Sequence, residues 1–360
     1  MSQFDVGKRF ASMATLQTST TPPEEAGKAY ALQSLCGEIY YIPFSKSAMR
    51  LLVTGKVSDG AIALVSTGGS SADPIGFHYH REAHDVFLCL KGHVNVWAND
   101  QARTMGPGDF ASVPPGVIHQ YQILGDRSEF IGLIVPGGWE DFFRLLGEPY
   151  AGAMWPATDD RNPFEVLIPR VKEAAERFDM VPQPHVQPFA PQPWVDGEDN
   201  VLPGDLRPYF LRAGTEPAYL LGGSVVRVLA TTKESGGKFA IRSLEASSFH
   251  ENKTLAAGLV FPSVQHAFHI VEGTFGFDVD GAAVTLTAAE ALYVPKGSRF
   301  KLRYRSRYAK AYVFASGGGL VELFAETGEE YALPIIPETE GVVDQARLER
   351  VSKEMGIMLG

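Results

Sequence analysis

Apolar residues recur at every second position through much of the chain, the period of a strand with one buried face. Val86, Leu88, Leu90, Val94 and Val96 follow this alternation, and Phe110 and Val113 extend the strand-like character. Helical stretches are few. Gly137–Leu146 reads as one, with a turn at Gly147, and Asn162 opens a second that continues through Val171–Phe178. The tail from Val343 to Met358 gathers Leu348, Val351 and Met355 on one side of a third. Between the second and third helices lies a Pro-rich stretch, Val181–Trp194, expected to be a semi-rigid extended link.

Inside the strand-rich first half, His78 and His80 lie two apart, so on a strand they project from the same face. Asp85 follows, then Gly92, and further on Gly108, Pro114, Pro115, Gly116 and His119. The glycines at 92 and 116 are expected to end hairpins, and the Pro114–Gly116 turn to deliver His119 onto a neighbouring strand. Three imidazoles with one oxygen donor suit iron, copper, nickel, manganese or zinc, with positions open for substrate. The two blocks resemble the paired cupin motifs, H-x-H…acid…G and G-x5-P-x-G-x2-H. In that pattern the acidic position normally carries Glu, and here it carries Asp85, one methylene shorter. Asp85 is therefore read either as a direct ligand or as an acceptor that orients a histidine. Glu82, expected in the turn, is a weaker candidate.

The chain repeats itself. Residues 50–66 align with 227–243 at an offset of 177, with eight of seventeen positions identical. Gly92, Pro114 and Gly116 match Gly273, Pro295 and Gly297 at an offset of 181, so the copies differ by four residues. At that offset His78, His80, Asp85 and His119 become Leu259, Phe261, His266 and Phe300, and one histidine does not hold a catalytic metal. The expected fold is therefore all-β, two antiparallel jelly-roll barrels with a few connecting and terminal helices, and metal only in the first. The expected divisions are an arm at 1–29, the metal-bearing barrel at 30–146, a helical and Pro-rich connector at 147–204, the second barrel at 205–335 and a helical tail at 336–360.

Composition narrows the partners. At 360 residues the chain accommodates two cores, and 37 Gly, 24 Pro and 11% aromatics fit short strands with tight turns. A formal net charge of -10 without a basic run argues against nucleic acid or anionic membrane as partner. Cys36 and Cys89, the two cysteines, read as free buried thiols in strands. The opening Met-Ser-Gln-Phe-Asp-Val-Gly lacks a secretory pattern, and a cytoplasmic location is expected.

The chain resembles the bicupin quercetin 2,3-dioxygenases, of the fungal type with metal only in the N-terminal barrel. The resemblance rests on the His78/His80/Asp85/His119 set, on the segment Val135–Phe143 after the first barrel, and on the unequal pair of barrels. It implies His78, His80, Asp85 and His119 as ligands of one divalent transition metal, with Asp85 also the general base. It implies O2 as co-substrate and a small aromatic substrate, a flavonol whose ring opens to a depside and carbon monoxide. Copper is associated with secreted fungal members; in a reducing cytosol iron, manganese or nickel is equally expected. A homodimer is one arrangement that such barrels offer. Two other functions fit the same motif: an oxygen-independent isomerase or cyclase acting on a small metabolite, and a non-enzymatic ligand-binding bicupin.

The remaining histidines carry plainer expectations. His84 and His93 are expected at the surface, and His266 and His269 on opposite faces of one strand as remnant or core residues. No function attaches to His185 or His250. Phe77, Tyr79, Phe87, Phe110 and Tyr121 are divided between packing and an aromatic pocket. Trp139, Phe142 and Phe143 are expected to seal the barrel end, and Gly317–Gly319 to form a turn.

Overall fold

The computed structural model describes residues 14–152, 156 and 159–360. The opening segment read for a secretory pattern and nearly half of the expected arm lie outside the described residues. The chain forms two β-barrels, and the repeat is visible strand by strand. Ser47–Val53 and Ala63–Gly69 recur as Ser224–Ala230 and Ala240–Ala246, shifted by 177. His78–Tyr79 and Phe110–Val113 recur as Leu259–Val260 and Ala291–Val294, shifted by 181. The extra four residues fall where the second barrel inserts a short helix, Lys253–Ala257, ahead of Leu259.

Even the turns repeat. Ser58 Oγ donates to the Ile62 carbonyl at 2.6 Å, and Ser235 Oγ does the same to Phe239 at 2.6 Å. These hydroxyls serve loop groups buried too deeply for water, which explains why the repeat keeps Ser at both positions.

Two strands cross between the barrels. Tyr30–Leu32, expected to open the first barrel, pairs antiparallel with Ala291–Tyr293 of the second. Reciprocally, Tyr209–Leu211, expected in the second, pairs with Phe110–Ser112 of the first. Each barrel thus covers an edge of the other, which removes two exposed strand edges. The described part of the arm joins the same side: Ala14–Thr15 pairs with Ala282–Ala283, and Thr18–Ser19 runs parallel to Ala31–Leu32. A shared apolar layer containing Leu52, Leu64, Phe110, Phe239, Ile241 and Phe314 seals the junction. Separate domains split at 146 and 205 therefore do not describe how the sheets are built.

Other expectations shift locally. Gly92 does not end a hairpin; it sits within the long strand His84–Ala98 at φ +64°, where a Cβ would strike Ser128. Cys36 lies in a turn, half-buried, whereas Cys89 is buried in a strand; both are free. The triglycine leads from a strand into a helix, Gly319–Thr327, which period counting missed because it is buried nearly all round. The helix expected over Gly137–Leu146 begins only at Asp141, since Gly138 sits at φ +105°. The second expected helix is split into Pro163–Val166, capped by Asn162, and Ile168–Arg177. The tail helix runs Gln345–Glu354 with Leu348 and Val351 buried. Among the described residues no helix is long and apolar enough to cross a membrane.

At the junction Arg50, 2% exposed, donates to Glu129 Oε1 at 2.5 Å and to Ser66 Oγ at 3.0 Å. Burial opposes the Glu129 charge, but Arg50, Ser66 and Lys91 hold its carboxyl below the ordinary range. Removing one partner of such a pair strands the other charge. Glu129→Ala is expected to cost about 3–5 kcal/mol, and Arg50→Met/Glu129→Leu to recover most of it. Urea unfolding of the three proteins measures this.

Candidate metal centre

His78 and His119 are brought face to face by one cross-strand pair, the two-residue strand His78–Tyr79 lying against the start of the long strand His119–Val135. The other edge of His78–Tyr79 is taken by Val181–Pro182 of the connector. His80 follows at the same face. The ring centroids lie 5.1 Å apart for His78 and His80, 4.4 Å for His78 and His119, and 5.2 Å for His80 and His119. One ring nitrogen from each falls within 4.8 Å of the other two.

Each Nδ1 is held by a carbonyl: His78 by Gly76 at 2.9 Å, His80 by Asp179 at 2.7 Å, and His119 by Val117 at 2.9 Å. A carbonyl only accepts, so each Nδ1 donates its proton and the neutral ring presents a lone pair on Nε2. Asp85 Oδ2 lies 3.2 Å from Nε2 of both His80 and His119. Acceptor then faces acceptor, which requires a positive charge between them, either a ring proton or a metal ion. Asp85 Oδ1 is buried with no hydrogen-bond partner among the described residues. The residues present therefore fit a divalent transition metal held by His78, His80 and His119, with Asp85 beside them.

The electrostatics agree. Burial, reinforced by the His119 and His80 charges, pulls the His78 pKa down to about 3, so that ring is neutral. At His80 burial acts downward too, but the Asp85 carboxylate outweighs it and raises the pKa. Burial disfavours the Asp85 anion, yet His80 and His119 hold its carboxyl far below the usual range.

Above this cluster opens a cavity of about 420 Å³, within the range of about 300–1,000 Å³ typical of small-molecule sites. Phe87, Tyr121, Trp139, Phe142 and Phe143 line it. Trp139, expected only to seal the barrel, packs with its ring centroid 4.4 Å from that of His80. Glu140 fixes the approach: its Oε1 accepts from Gly55 N–H at 2.6 Å and its Oε2 from Gly138 N–H at 2.8 Å. Phe77 instead packs edge-on to Trp97, away from the cavity, and Phe110 joins the junction layer. The roof comes from the connector through Leu167, Val171 and Met180, which the sequence reading left out. The signal was there, since Leu167, Val171 and Ala174 form one apolar face of a charged helix.

The other candidates fall elsewhere. His84 is not at the surface; it is fully buried, 2.8 Å from Ser112 Oγ and edge-on to Phe239 of the other barrel. It alternates with Asp85, so it points out of the first barrel, and outward here means the junction. Burial lowers its pKa to about 4. Glu82 is exposed, and its backbone N–H is held by Asp179. His93 and His185 are exposed. His250 is buried, 3.1 Å from the Glu338 carbonyl. His266 packs 4.5 Å from Phe261 and 5.6 Å from Phe300, the residues that replace two donor histidines. His269 projects from the opposite face toward Arg50 and Glu129 at the junction, and burial with the Arg50 charge lowers its pKa to about 4.

Comparison with known proteins agrees with this architecture. A cupin-domain family profile matches residues 64–135. The chain is 25% identical over 332 residues to a quercetin 2,3-dioxygenase of Bacillus subtilis (strain 168), covering 90% of this chain and 93% of that protein. It is 28% identical over 318 residues to a quercetin 2,3-dioxygenase of Aspergillus japonicus, covering 80% and 89% respectively. Among solved structures, protein Ylba from E. coli superposes with a TM-score of 0.52 at 10% identity, covering 85% of this chain and 94% of its own. The chain thus carries a cupin-domain match in its first barrel and is similar along most of its length to quercetin 2,3-dioxygenases.

The geometry predicts metal content directly. Elemental analysis of purified protein is expected to find about one divalent transition metal per chain. His78→Ala and His119→Ala are expected to lose it, and His266→Ala to keep it.

Proposed function

We propose that this protein is a metal-dependent dioxygenase of the quercetinase type, using O2 to cleave the ring of a flavonol or a related oxygenated aromatic. The observation that carries the reading is one floor shared by three aimed Nε2 atoms and an unpartnered carboxylate oxygen, beneath an aromatic-lined cavity. The two quercetin 2,3-dioxygenase relatives support the substrate class.

When bound, iron, copper, manganese or nickel supplies a Lewis acid that lowers a substrate hydroxyl's pKa and brings substrate and O2 together. The chain's residues do the rest. His78, His80 and His119 arrive with their tautomers set, so no ring has to turn when the metal enters. Asp85 Oδ1 has lone pairs without a partner and accepts the hydroxyl proton at the cavity floor. Asp85 Oδ2 lies 3.2 Å from Nε2 of both His80 and His119, so a cation held on those nitrogens would keep the carboxylate ionised and aimed. Trp139, Phe142 and Phe143 offer ring faces to an aromatic substrate and keep water from the reacting atoms.

Metal-loaded protein is expected to consume O2 with at least one member of a flavonol panel. Asp85→Asn is expected to retain metal while lowering kcat about 10²–10⁴-fold. His119→Ala is expected to lose metal and turnover together. Oxygen-electrode traces with parallel metal analysis read all three, and silence across the panel with every candidate metal sinks the proposal.

A further inference from the structure

The second barrel has lost its metal donors, but its interior is not purely apolar. Arg242 is 0% exposed, and its Nε, Nη1 and Nη2 all lack hydrogen-bond partners among the described residues. Its place is telling. At the offset of 177 it matches Val65, which lines the cavity of the first barrel. Leu244 and Ala246, two and four residues on, belong to the second barrel's core, so the guanidinium projects into that interior.

Nothing nearby neutralises it. The Phe324 ring lies 4.2 Å from Cζ and covers one face without offering a hydrogen bond. The Tyr304 hydroxyl, which acts on Arg242 electrostatically, is engaged with Ser224 Oγ at 2.7 Å. His266 stands within reach of the Arg242 charge, and its Nε2 accepts from Leu320 N–H at 3.0 Å, at the first turn of Gly319–Thr327. The Arg242 charge and the first turn of that helix therefore both act on His266, and no carboxylate pairs with Arg242 among the described residues. Burial lowers the Arg242 pKa to about 9, which leaves the group charged at neutral pH.

A buried cation with every donor idle is strongly disfavoured unless an anion joins it. We infer that the interior of the second barrel binds a small monovalent anion, a one-carbon carboxylate such as formate or bicarbonate, on the guanidinium of Arg242. Two parallel N–H groups of the planar fork match two carboxylate oxygens, which a halide does not exploit. Phe261 and Phe300 pack on His266 and are both nearly fully buried, and an interior filled in this way favours a small anion over a large one.

Thermal unfolding of the full, metal-loaded chain in chloride-free buffer tests this, with sodium formate, sodium bicarbonate or sodium chloride added at matched ionic strength. Formate or bicarbonate is expected to raise the Tm saturably by about 3 °C, the scale of a bound ligand in domains of this size, and chloride to fall short. His119→Ala is expected to respond like the unmodified chain, which separates this site from any anion on the first barrel's metal. Arg242→Met is expected not to respond, and Arg242→Lys to need at least about tenfold more anion. An equal shift with chloride, a shift surviving in Arg242→Met, or no shift overturns the inference. Should Arg242→Met fail to fold, calorimetric titration of formate into the unmodified chain and His119→Ala decides, and absence of saturable heat overturns it.

Discussion

A backbone carbonyl holds the Nδ1 proton of each of the three clustered histidines, and the chemistry of the first barrel follows from that restraint. Gly76 and Val117 each lie two residues before the histidine they hold, so these clamps are local to their strands. Asp179, which holds His80, comes from the connector 99 residues away. With the protons committed there, the Nε2 lone pairs have nowhere to aim but the shared centre. Orientation is thus settled by backbone geometry before any ligand arrives.

The same restraint ties the connector to the centre. Val181–Pro182 pairs with His78–Tyr79, Asp179 holds His80, and Leu167, Val171 and Met180 roof the cavity. A segment that looks like a spacer between barrels is therefore part of the pocket wall. Glu140 performs a parallel task on the other side, with its buried carboxylate holding Gly55 and Gly138 so that Trp139 lies over His80.

The two barrels share one backbone plan and hold opposite interiors. In the first, polar donors meet under an aromatic-lined cavity; in the second, Leu259, Phe261, His266 and Phe300 take those positions and Arg242 stands where the first has Val65. The exchange of Tyr30–Leu32 for Tyr209–Leu211, with the apolar layer between, keeps the barrels one body despite that divergence.

The alternation of apolar residues, the repeat at offsets of 177 and 181 and the H-x-H spacing were enough to read two barrels and the histidine set. Each is a local pattern, because strand period, turn glycines and donor types are written within a few residues of one another. The strand exchange, the buried position of His84, the tilt of Trp139 and the connector's roof were not legible in that way. They depend on which surfaces meet after folding, and alternation says only that a side chain leaves the barrel. Whether it then meets water or another barrel is a long-range fact: His84 and His93 both point outward, and packing buries one while leaving the other exposed.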